Sequence, residues 1–425
     1  MMTRGGANLP SVASFNESVV LDAIRLAGSI SRVELAHKTG LTAQTVSMIT
    51  RRLLADGLIE EGARERSTGG KPRTPLRMNA SAGVAIGVHL DPYLINLTVT
   101  DLGGHQLYAA QATPPARSAA LVDRIGQEIK AAIEHPAVPS DRLLGVGIAV
   151  PGPIDVVAGA MRHPPNMPRI ADVPLRAAIK NALPIPRLQV VIENDATAAA
   201  IGEHWFGGDA TAEDFAYIYL GTGVGAGLFL GGSIYRGVTG NGGEIGHCTV
   251  DESGPQCHCG NRGCLELYCS PLAIVAAAGQ PTGATRRRQR TAVQHAYATV
   301  CADAAAGRKA ARAAIRVAAT RLATAALTLI NVLDIQRIVL GGPALLDNIA
   351  EEYIAAIRAA IGAQPYTRQL RDVSVECSQL GVDAAAFGAA SSVFHEVMAP
   401  RLPLLVAAAT GQPQSRVLSS LAQAT

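Results

Sequence analysis

The sequence has no long uninterrupted apolar stretch, and this absence argues against a membrane protein. Its most apolar window, Leu322 to Leu340, is interrupted by Asn331, Asp334 and Arg337, which the core of a bilayer accepts only at high cost. The first twenty residues have no apolar core, so no export signal is expected. The seven cysteines are an odd number, which fits a reducing cytoplasm better than a disulfide framework. These absences predict a cytoplasmic protein with no membrane partner.

Charge is also scarce, since 17% of the 425 residues are charged and 48% are hydrophobic. This composition is typical of a globular protein, and the length is too great for a single core, so two or three folding units are expected. The formal net charge is +3, but it is unevenly distributed. Residues 1–80 contain 11 Lys and Arg against 7 Asp and Glu, a net +4, whereas the remainder has 26 against 27, a net −1. A basic N-terminal segment is typical of nucleic-acid binding.

Residues 16–80 are predicted to form a separate domain that begins with short helices, after a flexible arm formed by residues 1–15. The spacing of apolar residues predicts a first helix that ends at Gly28. Ser31 and Glu34, three residues apart, predict a capping box at the start of a second helix.

A third helix is predicted after Thr42, whose side chain can cap it. Val46, Ile49, Leu53 and Leu54 would lie on its buried face. The opposite face carries side chains that can reach base edges and phosphates, whereas a face that only contacts solvent would more often carry Glu and Lys. These candidate DNA-binding residues are Gln44, Thr45, Ser47, Met48, Arg51 and Arg52.

Two short strands are predicted after Gly57, at Leu58–Glu61 and Pro75–Met78. The loop between them is basic and glycine-rich, and it contains Lys71 and Arg73, which we also expect to contact DNA. A basic hairpin after three helices is typical of the wing of a winged helix-turn-helix domain. The alternative is a small helical domain that binds a protein partner.

The most informative stretch runs from Ile218 to Glu266 and contains three motifs. It begins with IYLGTGVGAG, whose closely spaced glycines let backbone N–H groups approach an anion. It continues through GNGGEIGH and ends in the cysteine cluster CHCGNRGCLE.

The cysteine cluster predicts a metal site. Cys257, Cys259 and Cys264 supply three thiolates within eight residues, and zinc takes four nitrogen or sulfur ligands in a tetrahedron. His247, just before the loop, is the preferred fourth ligand. Cys248 and Cys269 are also within reach, whereas His258 would point away from Cys257 and Cys259 if that tripeptide is extended. Such a site is closed and therefore structural, and the alternatives to a metal are buried free thiols or a disulfide.

These motifs resemble the signatures of the ROK family (repressors, open reading frames, kinases), a branch of the actin-like sugar kinases. ENDATAAA, which starts at Glu193, and the turn Pro151–Pro153 also resemble family motifs. The resemblance covers about residues 81–400. It implies an α/β, actin-like (ribonuclease H-like) fold of two lobes with a ligand cleft, preceded by a winged helix-turn-helix domain. It also implies that zinc is bound in the loop 247–264 by His247, Cys257, Cys259 and Cys264.

The resemblance implies a sugar site in the cleft, because carboxylates there would accept hydrogen bonds from adjacent sugar hydroxyls. Its residues would be Asn194, Asp195, Glu244, His247 and Glu266. In the family's kinases the aspartate that corresponds to Asp195 is the general base for the sugar hydroxyl. The alternative role for Asp195 is to cap the helix that follows it, and the two roles are compatible.

The first phosphate-binding loop of the family's kinases, Asp-Ile-Gly-Gly-Thr, is altered in this sequence. His89 replaces the aspartate, and Asp91, Pro92 and Tyr93 replace Gly-Gly-Thr. Pro92 removes a backbone donor and Tyr93 fills space that a phosphate would need, so we expect no ATP-dependent transfer. A second loop survives as a vestige of the nucleotide cleft, at Gly221, Thr222 and Gly223.

These observations together predict a sugar-responsive transcriptional regulator, a repressor, located in the cytoplasm at the nucleoid. It would bind double-stranded operator DNA as a homodimer or a dimer of dimers, because two recognition helices need two half-sites. The alternative is an ATP-dependent, glucokinase-like sugar kinase with a DNA-binding appendage, in which Asp195 would be catalytic. Residues 401–425 lack periodicity and are expected to form a loosely ordered tail.

Overall fold

The computed structural model describes residues 9–63, 74–115, 117–170, 172–183, 185, 188–207, 214–280, 286–364 and 372–398. The predicted tail at 401–425 lies outside these residues. A small N-terminal domain precedes two larger lobes. Its elements are α1 (Leu9–Ala27), α2 (Arg32–Thr39), α3 (Ala43–Ala55), β1 (Ile59–Glu61) and β2 (Leu76–Met78).

Helix α1 begins earlier than the sequence predicted. It starts at Leu9, so residues 9–15 are helical and do not belong to a flexible arm, while residues 1–8 lie outside the described part of the chain. Pro10 explains the difference, because proline is tolerated in the first helical turn, where its missing N–H costs no hydrogen bond and its φ angle already suits a helix. The helix ends at Ala27, and Gly28 follows with a φ of 63°.

The starts of α2 and α3 confirm the predicted caps. The carboxylate of Glu34 accepts a hydrogen bond from the N–H of Ser31 at 2.9 Å, and the Ser31 hydroxyl accepts one from the N–H of Glu34, which completes the capping box. Thr42 accepts from the N–H of Thr45 at 3.2 Å. The buried face of α3 packs on α1 within one apolar cluster, and its fully buried or nearly buried members are Val46, Ile49 and Leu53.

Strands β1 and β2 form the predicted antiparallel hairpin, with Ile59 opposite Met78. The segment between α1 and α2 also pairs with this hairpin, because the backbone of Ile30 exchanges hydrogen bonds with that of Leu76 at 3.1 and 2.8 Å. The hairpin is therefore fixed to the three helices. The predicted wing residues Lys71 and Arg73 lie outside the described residues.

The first lobe is built on a five-stranded sheet. Its elements are β3 (Val84–Leu90), β4 (Ile95–Asp101), β5 (Gln106–Ala112), α4 (Ser118–Glu134), β6 (Leu143–Val150), β7 (Ile154–Asp155), β8 (Ala160–Met161), α5 (Leu175–Ala182) and β9 (Gln189–Asn194). The strand order is β5-β4-β3-β6-β9, with β3 antiparallel to β4 and parallel to β6. Every residue of β3 and β4 is buried, as expected for central strands covered on both faces.

The second lobe repeats this plan. Its elements are α6 (Asp195–Phe206), β10 (Phe215–Leu220), β11 (Val224–Leu230), β12 (Ser233–Tyr235), α7 (Glu266–Cys269), α8 (Pro271–Ala277), α9 (Arg286–Ala305), α10 (Lys309–Leu333), β13 (Arg337–Gly341), α11 (Asp347–Gly362), β14 (Ser374–Cys377) and α12 (Ala384–Met398). The strand order is β12-β11-β10-β13-β14, with β10 antiparallel to β11 and parallel to β13. The predicted two-lobed α/β fold is confirmed.

Helices α6 and α12 lie between the two sheets and pack closely against each other. A Cβ added to Gly388 would lie 1.9 Å from the carbonyl oxygen of Ala198, so only glycine fits at this crossing. Glycines also let α12 approach the first sheet, since a Cβ at Gly147 would lie 1.8 Å from the carbonyl oxygen of Ala389. The helix pair therefore has little freedom to slide or separate without a change in its neighbours.

Helix α10 is long and apolar enough to span a membrane by length and composition, and it is the one such helix in the described part of the chain. Its inner face is buried in the apolar cluster of the second lobe, through residues that include Ala318, Leu322 and Ala326. A helix whose inner face is buried in this way is typical of the core of a protein.

Candidate functional site

The predicted metal ligands lie together at one end of the second lobe. The ligand atoms of His247, Cys257, Cys259 and Cys264 are all within 4.8 Å of one another. His247 ends a short 3-10 turn after Glu244, and the three cysteines come from the loop that precedes α7.

Distances within this group fit a tetrahedral metal site. The sulfur atoms of Cys259 and Cys264 are 3.7 Å apart, and the sulfur of Cys257 is 3.7 Å from Nδ1 of His247. Ligands held about 2.3 Å from one zinc ion at tetrahedral angles lie about 3.7 Å apart, whereas a disulfide would bring two sulfurs to about 2.05 Å. The geometry therefore favours a metal over the disulfide alternative.

The other candidates for the fourth ligand are outside this group. Nδ1 of His258 is 3.8 Å from the sulfur of Cys257 alone, and Cys269 is buried with its thiol directed to the carbonyl oxygen of Ala318 at 3.2 Å. Cys248 is exposed and belongs to no such cluster within the described residues.

The metal loop depends on glycine and on an ion pair with α10. Gly263 has a φ of 60°, and a Cβ there would lie 1.6 Å from the carbonyl oxygen of Asp251. The carboxylate of Asp251 accepts hydrogen bonds from Arg321 of α10 at 2.6 Å and from the hydroxyl of Tyr268 at 3.0 Å. These contacts attach the loop to the core of the lobe.

The predicted sugar residues Asn194 and Asp195 lie where β9 ends and α6 begins. Asn194 is the N-cap, and its side-chain oxygen accepts from the N–H groups of Ala196 and Thr197 at 3.0 and 3.3 Å. The carboxylate of Asp195 accepts from the N–H of Ala196 at 2.8 Å. The cap of α6 is therefore Asn194, whereas Asp195 is the first residue of the helix and its carboxylate keeps a second oxygen for other partners.

Glu244 approaches the same point from the second lobe. A Cβ added to Gly152 would lie 3.0 Å from Oε1 of Glu244 and 3.5 Å from Nδ2 of Asn194. The turn Pro151–Pro153, Asn194 and Glu244 thus surround one small volume. A glycine at position 152 leaves this volume open.

Several carboxyl groups lie close together around this volume, where they influence the pKa of Asp195. The pKa of Asp195 is raised from 3.8 to about 7, chiefly by burial and further by the carboxylates of Asp91 and Glu244, against the hydrogen bond from the Ala196 N–H. Burial also raises the pKa of Glu244, while the neighbouring His247 lowers it. The cluster therefore offers carboxyl oxygens to a ligand rather than cationic groups.

Glu266 lies next to the glycine-rich turn. Its Oε2 accepts from the N–H of Val224 at 3.2 Å, and a Cβ added to Gly223 would lie 2.3 Å from the same oxygen. Nδ2 of Asn166 is 3.6 Å from that Cβ position. The structure thus brings Glu266 to the turn at Gly221–Gly223, whereas Asn194 and Glu244 lie beside Gly152.

Three contributors to the cleft were missed by the sequence analysis. Asn241 exchanges hydrogen bonds with the backbone of Ile154 at 2.7 and 2.9 Å and fixes the turn beside Gly152. Asn166 comes from a loop without periodicity. Arg236 holds Glu193, the residue before Asn194, through both carboxylate oxygens at 2.5 to 3.1 Å. Asn241 stands within the GNGGEIGH motif, which was the available signal for it.

The segment that resembles an altered phosphate loop is a tight hairpin turn between β3 and β4. The N–H of Asp91 donates to the carbonyl of Leu94 at 2.8 Å, and the carboxylate of Asp91 accepts from the N–H of Tyr93 at 2.8 Å. His89 is buried, which lowers the pKa of its ring to about 4, and its Nε2 is 3.4 Å from the hydroxyl of Tyr219. This imidazole is neutral at pH 7.

The surviving loop at Gly221, Thr222 and Gly223 is the turn between β10 and β11. The N–H of Gly221 donates to the carbonyl of Gly223 at 2.9 Å, so that donor is already used within the turn. Gly342, at the end of β13, packs directly against it, since a Cβ there would lie 2.5 Å from the carbonyl oxygen of Leu220.

The predicted DNA-binding face of α3 is polar and only partly used within the domain. Gln44, Met48 and Arg51 are exposed, and Met48 is 63% exposed. Thr45 and Ser47 are half-buried, and the Thr45 hydroxyl is 2.8 Å from that of Thr42. Arg52 differs, because its guanidinium lies 3.3 Å from the carboxylate of buried Glu17 in α1 and therefore also stabilises the domain.

Comparison with known proteins gives matches along almost the whole chain. The model described as the ROK family matches residues 82–396, and a model of winged helix-turn-helix DNA-binding domains matches residues 19–60. The xylose repressor of Caldicellulosiruptor bescii is 27% identical over 400 residues, which cover 90% of this chain and 96% of that protein.

Two solved structures extend the comparison. A ROK family transcriptional regulator, described as a homologue of the E. coli MLC protein, superposes with a TM-score of 0.72 at 24% identity and covers 96% of this chain and 100% of its own. A ROK family glucokinase from Streptomyces griseus, solved with glucose and AMPPNP, has a TM-score of 0.58 at 27% identity and covers 73% of this chain and 99% of its own. The regulator therefore shares the fold of both the N-terminal domain and the two lobes, whereas the glucokinase matches about three quarters of this chain.

Proposed function

The chain belongs to the ROK family, and from this premise we propose that it is a sugar-responsive DNA-binding transcriptional regulator that acts as a repressor. The observation that carries the proposal is its similarity to a xylose repressor over 90% of its length, which includes both the DNA-binding domain and the cleft. The ligand is a neutral sugar, and D-xylose is the first candidate because of that relative.

The cleft has the chemistry that a neutral sugar needs. The carboxylates of Asp195 and Glu244 accept hydrogen bonds from adjacent hydroxyls, and the amide of Asn194 lies beside them. Glu266 and His247 would complete the sugar site on the side of the second lobe. A polar site that pairs with each hydroxyl of its sugar discriminates against analogues that lack one hydroxyl.

We further propose that His247, Cys257, Cys259 and Cys264 hold a structural zinc ion. Zinc with three thiolates and one imidazole fills its tetrahedral shell, so it supplies folding free energy and orientation rather than an open position for catalysis. Because Nδ1 of His247 faces Cys257, its Nε2 is the nitrogen that is left for a sugar hydroxyl.

We expect the cleft to bind sugar without phosphorylating it. In the segment that resembles the first phosphate loop, the carboxylate of Asp91 accepts from the N–H of Tyr93, so this donor is not available to a phosphate, and the same carboxylate helps to raise the pKa of Asp195. Pro92 has no N–H to donate. The kinase alternative is favoured by the presence of Asp195 and by the similarity to a glucokinase, and it is tested below.

The DNA-binding domain would act from the cytoplasm on a pseudo-palindromic operator at the nucleoid. The exposed side chains of α3, with Lys71 and Arg73 from the wing, would contact bases and phosphates. Two such domains are needed for two half-sites, so the active form is a homodimer or a dimer of dimers.

One calorimetric experiment with a coupled enzymatic assay tests the function. The purified protein is titrated with D-xylose, D-glucose, D-mannose and N-acetyl-D-glucosamine, and the same sugars are then supplied with ATP in an assay of ADP release. We expect one sugar to bind with the others at least about tenfold weaker, and no sugar-dependent ADP release. Sustained ADP release would instead establish the kinase.

A further inference from the structure

Helix α6 connects the sugar cleft to the DNA-binding domain. Its first residue, Asp195, lies in the cleft, and its last turn, at His204 and Trp205, contacts α1 of the DNA-binding domain. Twelve residues at 1.5 Å each make this helix roughly 18 Å long.

The contact at the end of α6 is made by one arginine. Arg25 of α1 donates to the backbone carbonyl of His204 at 3.0 Å, and its second nitrogen is 2.7 Å from Nε2 of the same residue. The guanidinium carbon lies 4.5 Å from the centroid of the Trp205 ring. The carboxylate of Asp22 accepts from Nε of Arg25 at 3.0 Å and, at 2.8 Å, from the same Nη2 that approaches His204. A cation at the C-terminus of a helix is favourable because the helix dipole is negative there.

This contact leaves two polar groups unsatisfied. Arginine only donates, so Nε2 of His204 must accept, and the proton of the neutral ring then sits on Nδ1. Among the described residues, Nδ1 of His204 and Nε1 of Trp205 are both buried without a hydrogen-bond partner. An unsatisfied buried polar group is unfavourable, so hydrogen bonding favours a rearrangement of this contact in which either group finds a partner.

The body of α6 is held rigidly between these two ends. Gly388 of α12 packs against the backbone at Ala198, and Glu203 is fixed by Arg337 at 2.7 Å and by the hydroxyl of Ser378 at 2.8 Å. A displacement of the first turn would therefore be carried to the last turn, because packed helices shift as units rather than deform continuously.

We propose that α6 couples the two sites: a sugar bound at Asn194 and Asp195 changes the contact of Arg25 with His204 and Trp205, and thereby the position of the DNA-binding domain. Arg25 and Trp205 are positioning residues in this account, since neither touches the ligand. The inference rests on the proposed function, because it requires a sugar in the cleft.

The chain provides its own probe for this coupling, because Trp205 is its single tryptophan. The emission of the full-length protein therefore reports the environment of the Arg25 contact directly. D-xylose, D-glucose, D-mannose and N-acetyl-D-glucosamine are titrated while tryptophan emission is recorded, and calorimetry on the same samples measures binding independently.

We expect the sugar that binds by calorimetry to change the emission of Trp205 with the same dissociation constant. In Arg25→Gln the calorimetric constant should stay within about threefold, while the emission change falls to less than about a third. Arg124→Gln, which removes an arginine paired with Glu128 on α4, should behave like the wild type. If Arg25→Gln does not fold, Arg25→Lys is used with the same criteria, because lysine keeps the charge but loses the planar contact.

Two outcomes would overturn the coupling. One is a sugar that binds by calorimetry and leaves the emission of Trp205 unchanged in the wild type, and the other is an Arg25 variant whose emission responds as fully as that of the wild type. A protein that binds none of the sugars by calorimetry would refute the proposed effector function and the coupling with it, and this result is distinct from a bound but silent sugar.

Discussion

At the scale of single residues, Asp195 lies where burial and two neighbouring carboxylates oppose its ionisation. Its pKa is about 7 in the folded protein and 3.8 without these influences. Between these values the folded state keeps a proton that the unfolded state has released, so the free energy of unfolding falls as the pH rises from about 4 to about 7. Below pH 4 the carboxyl of Asp195 is protonated in both the folded and the unfolded state, so it no longer lowers the free energy of unfolding.

Asp195→Asn should remove this pH-dependent loss, because an amide cannot ionise but can still accept from the N–H of Ala196. The free energy of unfolding of the variant minus that of the wild type should be larger at pH 8 than at pH 5 by about 1–3 kcal/mol. Urea denaturation of both proteins at both pH values measures this difference. Asp155→Asn is the control, since the N–H of Ala158 and the side chain of Arg162 lower the pKa of that exposed carboxyl. An identical difference at both pH values for Asp195→Asn would refute the assignment.

Arg51 and Arg52 are adjacent on α3 but should respond differently to substitution. Arg51 is exposed on the predicted DNA-binding face, whereas Arg52 is paired with buried Glu17. Arg51→Ala should leave the melting temperature nearly unchanged and reduce the salt dependence of duplex binding by about one phosphate contact. Arg52→Ala should lower the melting temperature as well. Fluorescence anisotropy at several salt concentrations measures duplex binding, and thermal denaturation measures stability. Equal losses of duplex binding and stability in both variants would contradict the different roles expected for Arg51 and Arg52.

At the scale of elements, the loop that contains the cysteine cluster should depend on a metal for its structure. We expect about one zinc ion per chain by elemental analysis, and removal of zinc by a chelator should lower the melting temperature by at least about 5 °C. Cys259→Ser should lose zinc, because it removes one of the four ligands. Cys377→Ser is the matched control, since this exposed thiol lies outside the cluster. Full zinc content in Cys259→Ser would contradict the proposed ligand set.

Elements whose signals are local could be predicted from the sequence. The capping box of Ser31 and Glu34 and the cap at Thr42 need only neighbouring residues, and both are found. The first turn of α1 was missed because Pro10 was not read as a helix start.

In the candidate site, too, some residues could be predicted from local sequence signals and others are placed only by the tertiary fold. The proposed metal ligands could be named from spacing and chemistry, and the structure brings His247 together with the three cysteines. Asn166, Asn241 and Arg236 could not be found from periodicity, because loops and tertiary pairing place them. Arg25 and His204 are 179 positions apart, so their contact exists only in the folded chain.

At the scale of the whole molecule, the two lobes provide a cleft between Gly152 and Glu244, and one helix runs from that cleft to the DNA-binding domain. A kinase of this fold must hold sugar and nucleotide at once. Here the segment that resembles the first phosphate loop is a closed hairpin turn that contains Asp91 and Pro92. In the function we propose, the carboxylates beside Gly152 bind the sugar and α6 connects them to the DNA-binding domain.

The most direct test of this account is the affinity for DNA with and without sugar. A duplex selected from a random library by the full-length protein is titrated by fluorescence anisotropy, in the absence of nucleotide, with and without a saturating concentration of the sugar that binds by calorimetry. For a repressor released by its effector, we predict that the sugar weakens duplex binding by at least about fivefold. An unchanged affinity for the duplex while the sugar is bound would contradict the account.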